Sequence, residues 1–113
     1  MTIFERLFAR HCRHGFLMIS MVGSLAQAST FPVVHLKDIP EPLRLMWAGL
    51  KPEMLSTSHC AAAFDSFSDS DKMVMKCSIH IKMSAEGERR AMRYCEDQRV
   101  ERKIKGPCRL VEE

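Results

Sequence analysis

The chain has 113 residues, 17 Lys and Arg against 14 Asp and Glu, with 46% hydrophobic and 27% charged positions. That length holds one small domain around one core and excludes a multidomain enzyme. The hydrophobic share excludes a disordered chain, and no apolar run reaches the roughly 18 residues that a membrane-spanning helix needs.

The N-terminal stretch carries Arg6, Arg10 and Arg13 against the single acid Glu5. An apolar run from Phe16 to Leu25 follows and closes on Ala26-Gln27-Ala28, the small-x-small pattern that seats a chain in signal peptidase. The reading is a signal peptide over 1–28 and a single small domain over 29–113, bound for the periplasm or for secretion. Loss of the leader leaves 14 basic and 13 acidic groups. The surplus of positive charge therefore belongs to the leader and gives no ground for a nucleic-acid partner.

Cleavage also removes Cys12 and leaves Cys60, Cys77, Cys95 and Cys108. An even set of cysteines in a small exported domain reads as two disulfides. Each bridge that closes a loop of about 15 residues removes roughly 3 kcal/mol of unfolded-state freedom, a large share of what so small a core supplies. A zinc centre would draw on His59, Cys60, Cys77 and His80. No Cys-x-x-Cys pair supports it, and Cys77 and His80 fall on opposite faces of a strand.

Along the mature chain, Phe31 to Leu36 reads as a strand. Pro42 to Leu50 reads as a short helix, with Leu43, Met46, Trp47 and Leu50 on one stripe and Gly49 and Pro52 at its end. Trp47 is expected to plug the core. The segment His59 to Phe64 reads as the first strand of a hairpin, although its alanines also suit a short helix. Pairing it with the next strand sets Cys60 opposite Cys77.

Lys72 to Lys82 alternates, with Met73, Met75, Cys77, Ile79 and Ile81 inward and Lys76, Ser78, His80 and Lys82 outward. Ser84 is expected to cap a helix over 85–99, with Glu86 and Glu88 near the positive end of its dipole. Ala85, Ala91, Met92 and Cys95 form its inner stripe, while Arg89, Arg90, Arg93, Glu96, Asp97 and Arg99 crowd the outer one. Glu86 to Arg90 and Glu101 to Lys105 stand at favourable i,i+4 spacing. Gly106-Pro107 is expected to stop the helical run and launch a last strand over Cys108 to Val111.

These elements specify an α+β fold: a small antiparallel sheet of three or more strands, the longer helix over 85–99 and the short one over 42–50. Both helices are expected on one face of the sheet. A right-handed crossover places the last strand parallel to the Lys72 strand, on the far side of the hairpin's first strand. The expected core is Trp47, Met73, Met75, Ile79, Ile81, Met92 and Leu110.

The order strand, turn, strand, helix with a Cys, then Cys and an apolar strand resembles a family of small secreted bacterial proteins known only as a domain of unknown function. The residues that carry the resemblance, within about 60–111, are Ser84-Ala85-Glu86, Ala91-Met92-Arg93-Tyr94-Cys95 and Cys108-Arg109-Leu110-Val111. The resemblance implies a disulfide from helix to strand, Cys95 to Cys108, and brings no known activity. Of the three pairings, Cys60 to Cys77 with Cys95 to Cys108 is expected, each closing a local loop.

The mature chain contains no G-x-S-x-G, no H-E-x-x-H and no Gly-rich phosphate loop, and Asp65, Asp69 and Asp71 read as turn residues without the spacing of a calcium loop. The functional expectation is an exported, non-enzymatic protein-interaction module of the bacterial cell envelope, in the manner of an inhibitor or immunity-like factor. It needs no cofactor and no metal, and its partner is another protein in the envelope or outside it. The surfaces expected to meet that partner are Arg89, Arg90 and Arg93 on the last helix and Lys76, His80 and Lys82 on the strand. A second reading is periplasmic copper handling through the soft ligands Met73, Met75 and Met83 with His80, although Met73 and Met75 share the core face. A small enzyme is the third.

Overall fold

In the computed structural model, which describes residues 30–113, the chain runs β1 (Val33–His35), α1 (Glu41–Leu50), β2 (His59–Phe64), β3 (Met73–Ser78), α2 (Ser84–Glu101) and β4 (Arg109–Glu112). The signal peptide and cleavage site expected over 1–28 lie outside the described residues. The strands form one sheet in the order β1-β4-β2-β3. β2 is antiparallel to both β3 and β4, and β1 is parallel to β4. The expected antiparallel sheet is thus a mixed one of four strands. A short apolar run ahead of a helix carries no local mark of strand direction; here Leu110 N–H reaches back to the Pro32 carbonyl at 2.8 Å and draws β1 alongside β4.

The two helices cover opposite faces of the sheet, not one face as the sequence suggested. Ala61, Ala63, Val74 and Leu110 pack with Ala91 and Cys95 of α2 and with Ile104 and Cys108. Cys60, Ala62, Met73 and Met75 point the other way and pack with Val34, Ile39 and Leu43 under α1. Because alternate side chains leave a strand on opposite sides, Ala61, Ala62 and Ala63 are all completely buried. Alanine is small enough to admit a close layer on each side. Trp47 and Met92 are half-buried and pack against these clusters from their margins.

β3 ends at Ser78, four residues short of Lys82. His80 adopts φ 60°, a left-handed conformation that breaks the alternation, so Ile79 and Ile81 are half-buried loop residues and not strand core. Ser78 is buried, its hydroxyl donating to the Gly87 carbonyl at 2.6 Å. Gly87 lies where α2 meets the segment before β2: a Cβ there would stand 2.5 Å from the Thr57 carbonyl oxygen. Ser84 opens the helix but does not cap it. The N-cap position falls on Met83, and the Ser84 hydroxyl instead lies 2.7 Å from Nε2 of His59. Ala85 is exposed, so the inner stripe of α2 is Gly87, Ala91 and Cys95.

α2 terminates before Gly106. Lys103 takes φ 57°, its N–H bonds the Val100 carbonyl, and the Ile104 N–H bonds the Arg99 carbonyl at 3.0 Å. This is a Schellman ending with Lys103 in the position that glycine usually holds. The buried Ile104 then drops into the core beside α2. Glu101 sits in the last helical turn and accepts from Gln98, so the Glu101 to Lys105 spacing falls across the helix end. The disulfides are Cys60–Cys77, between residues directly opposite on β2 and β3, and Cys95–Cys108, from α2 to the residue before β4.

Candidate functional site

β1 and β3 are the two edges of the sheet. On β3, the Asp65 N–H donates to the Lys72 carbonyl at 2.8 Å, which makes Asp65 and Lys72 a hydrogen-bonded pair. In an antiparallel ladder such pairs alternate. Val74, Lys76 and Ser78 therefore turn their backbone groups toward β2, while Met73, Met75 and Cys77 turn theirs outward, away from the sheet. Among the described residues one outward group is answered by a side chain: Arg102 Nη1 donates to the Met73 carbonyl at 3.0 Å.

Alongside this edge runs a groove of about 240 Å³ lined by Pro42, Leu43 and Met46 of α1, by Ser70, by Met73, Val74, Met75 and Lys76 of β3, and by Arg102. Its floor is apolar. Its two charged groups are both cations, Lys76 and Arg102. Met46, expected on the inner stripe of α1, is half-exposed on the rim of the groove, and Leu43 alone of that stripe is fully buried. A more open depression of about 570 Å³ lies beside Trp47, among His35, Leu36, Lys37, Arg44 and Glu113. Lys51 stands over the Trp47 ring at 4.8 Å and pairs with Glu113.

The sequence-derived surfaces separate in space. Lys76 is exposed on the β3 edge, whereas His80 and Lys82 lie in the exposed turn that leads to α2. A polar strand face built from Lys76, Ser78, His80 and Lys82 is not formed, because Ser78 is buried against α2 and the strand has already ended. Arg89 and Arg93 are exposed on the side of α2 away from Gly87, Ala91 and Cys95. Glu86 pairs with both Arg89 and Arg90, the latter at 2.9 Å. The hydrogen bond from Arg90, and then the charge of Arg89, hold the Glu86 carboxyl below the ordinary carboxylate range. Arg93 lies over the Tyr94 ring at 5.7 Å.

Asp65 does more than turn the chain. Its carboxylate accepts the Lys105 N–H at 2.7 Å and the Gly106 N–H at 2.6 Å. The first of these bonds is the main cause of a pKa below the ordinary 3.8. No local pattern marks this residue, since its partners are some forty positions downstream. The copper reading finds its groups dispersed: Met73 and Met75 are buried under α1, while His80 and Met83 are exposed beyond the far end of β3. Among the described residues no cluster of three or more His, Cys, Asp or Glu is gathered, and no helix is long and apolar enough to cross a membrane.

Comparison with protein families, curated proteins and solved structures finds no match to this chain.

Proposed function

We propose that the chain is an exported, non-enzymatic interaction module of the bacterial cell envelope, which binds another protein through the outer edge of β3. The observation that carries the reading is that edge: an apolar groove of about 240 Å³ with the exposed Lys76 and Arg102 on its rim, beside a strand at the end of the sheet. Sheet edges with unpaired N–H and C=O groups are ready templates for a further strand, and proteins that do not use them bury or blunt them. Among the described residues one outward carbonyl of β3, that of Met73, is answered by the Arg102 side chain. The two disulfides and the leader-like stretch over 1–28 support export to an oxidising compartment.

Charge reversal on the two exposed cationic surfaces tests the reading. Protein with intact disulfides, immobilised and challenged with envelope extract, should retain a defined partner. Lys76→Glu combined with Met46→Asp should abolish retention without loss of folding, since both side chains are exposed. Arg89→Glu with Arg93→Glu should leave it intact. Loss of retention only in the arginine variant would move the docking surface to α2, and no retained partner with any variant would overturn the interaction reading.

A further inference from the structure

Independently of that reading, we infer that the depression beside Trp47, at the β1 end of the sheet, is a binding site for a small aromatic carboxylate. Its floor is formed by Leu36 and Trp47, both half-buried against the core under α1. Its volume of about 570 Å³ is that of a small-molecule pocket. An indole ring left partly uncovered offers a flat apolar face on which another ring stacks.

The groups around that floor choose the sign of the ligand. His35 ends β1, Lys37 lies in the single turn that follows, and Arg44 stands three residues before Trp47 on α1. The i,i+3 spacing makes Arg44 and Trp47 neighbours on the helix surface. Among the described residues neither Lys37 nor Arg44 is joined to a carboxylate. Glu113, the one acid in the lining, is paired with Lys51. Two cations without a counter-charge therefore line the depression, and the guanidinium of Arg44 matches a carboxylate with two parallel N–H···O bonds.

A cationic ligand does not suit the same ring. Lys51 already holds the cation–π position over Trp47, 4.8 Å from its centre, and it lines the neighbouring depression of about 320 Å³ and not this one. Lys37 and Arg44 would repel a further cation. An anion without a ring leaves Trp47 uncovered, and a ring without a charge leaves both cations unpaired, so one molecule must carry both chemistries. The site lies at the opposite edge of the sheet from Lys76, and a ligand held here does not compete with a partner docked at β3.

The test uses the full chain with both disulfides intact and three probes at constant ionic strength: phenylacetate, its neutral isostere phenylacetamide, and acetate. Trp47 is the single tryptophan of the chain, so its fluorescence reports the site directly. Phenylacetate should change that emission saturably and shift the backbone resonances of Leu36 and Arg44, while the other two probes bind about tenfold or more weakly. Arg44→Gln, a change to an exposed side chain, should weaken phenylacetate binding about fivefold or more, and Lys76→Glu should leave it unchanged. No saturable change up to about 10 mM phenylacetate, a range that reaches the affinities of very small ligands, would overturn the inference. Equal binding of phenylacetamide would remove the cations from the site and equal binding of acetate would remove the ring; either result overturns it, as does an unaltered affinity in Arg44→Gln. The β3 proposal is untouched by any of these outcomes.

Discussion

Asp65 links the turn after β2 to the loop before β4 by accepting two backbone N–H groups from Lys105 and Gly106. Those bonds favour the ionised carboxylate, so its folded pKa lies below the ordinary value of 3.8. The stabilisation is therefore fully present above the unfolded pKa and is lost as pH falls through the lower folded value. Asp65→Asn should melt below wild type at about pH 6, and the gap should shrink as pH falls toward about 2, where both side chains are neutral. Thermal melts across that range check it; a gap independent of pH would assign the effect to shape and not to charge.

Two glycines give opposite expectations at the same scale. At Gly87 a Cβ would meet the Thr57 carbonyl at 2.5 Å and His59 at 3.1 Å, whereas Gly49 has nothing within 4 Å. Gly87→Ala should cost about 1–3 kcal/mol through overpacking, despite the better helix propensity of alanine. Gly49→Ala, near the exposed end of α1, should gain up to about 1 kcal/mol. Urea denaturation of the two variants measures both signs.

At the scale of elements, the position of α1 separates this fold from the arrangement expected of the sequence. Leu43 is its one fully buried side chain and packs with Met73 and Met75 on the face opposite α2. Leu43→Ala should cost about 2–5 kcal/mol. If both helices shared one face, the loss would be accompanied by loosening around Cys95. Here the exchange rates of α2 amides should stay near those of wild type, and amide exchange distinguishes the two.

The elements legible in the sequence are those with a local signal. Met73, Met75 and Cys77 alternate as a strand must, Leu43 and Trp47 share a helical stripe, and the hairpin register that sets Cys60 against Cys77 follows from a short Ser- and Asp-rich turn. Ile79 and Ile81 prolonged the same alternation past the true end of β3. The break is made by His80 at positive φ, a position where a glycine would have announced itself. The end of α2 was read to within two residues, 99 against Glu101, although its stop is made by Lys103 in the left-handed position and not by Gly106 three residues later. The Ala61 to Ala63 run is buried on both sides, and so has no period to read. The edge position of β3 follows from the strand order, which β1 and β4 establish from opposite ends of the described chain.

For the whole molecule, both faces of a small sheet are covered and each helical layer is tied to it, α2 by the Cys95–Cys108 bridge and α1 by apolar packing. With both faces covered, the strands that lack a second neighbour in the described sheet are its two edges, β1 and β3. Export is part of the proposal, and the mature chain is expected to begin at Ser29. Mass spectrometry of the protein recovered from the periplasm or medium checks this: a form retaining Met1 in the cytoplasm, with free thiols at Cys60 and Cys77, would contradict it.

The central claim is that a partner protein docks at the outer edge of β3, and site-directed photocrosslinking in intact cells tests it most directly. A photoreactive side chain is placed in turn at Lys76, on the β3 edge, and at Arg93, on the outer side of α2. The account predicts one discrete crosslinked protein from position 76, mapped to a single segment of it, and none of that species from position 93. Crosslinking to the same protein from position 93 with none from position 76 would contradict it.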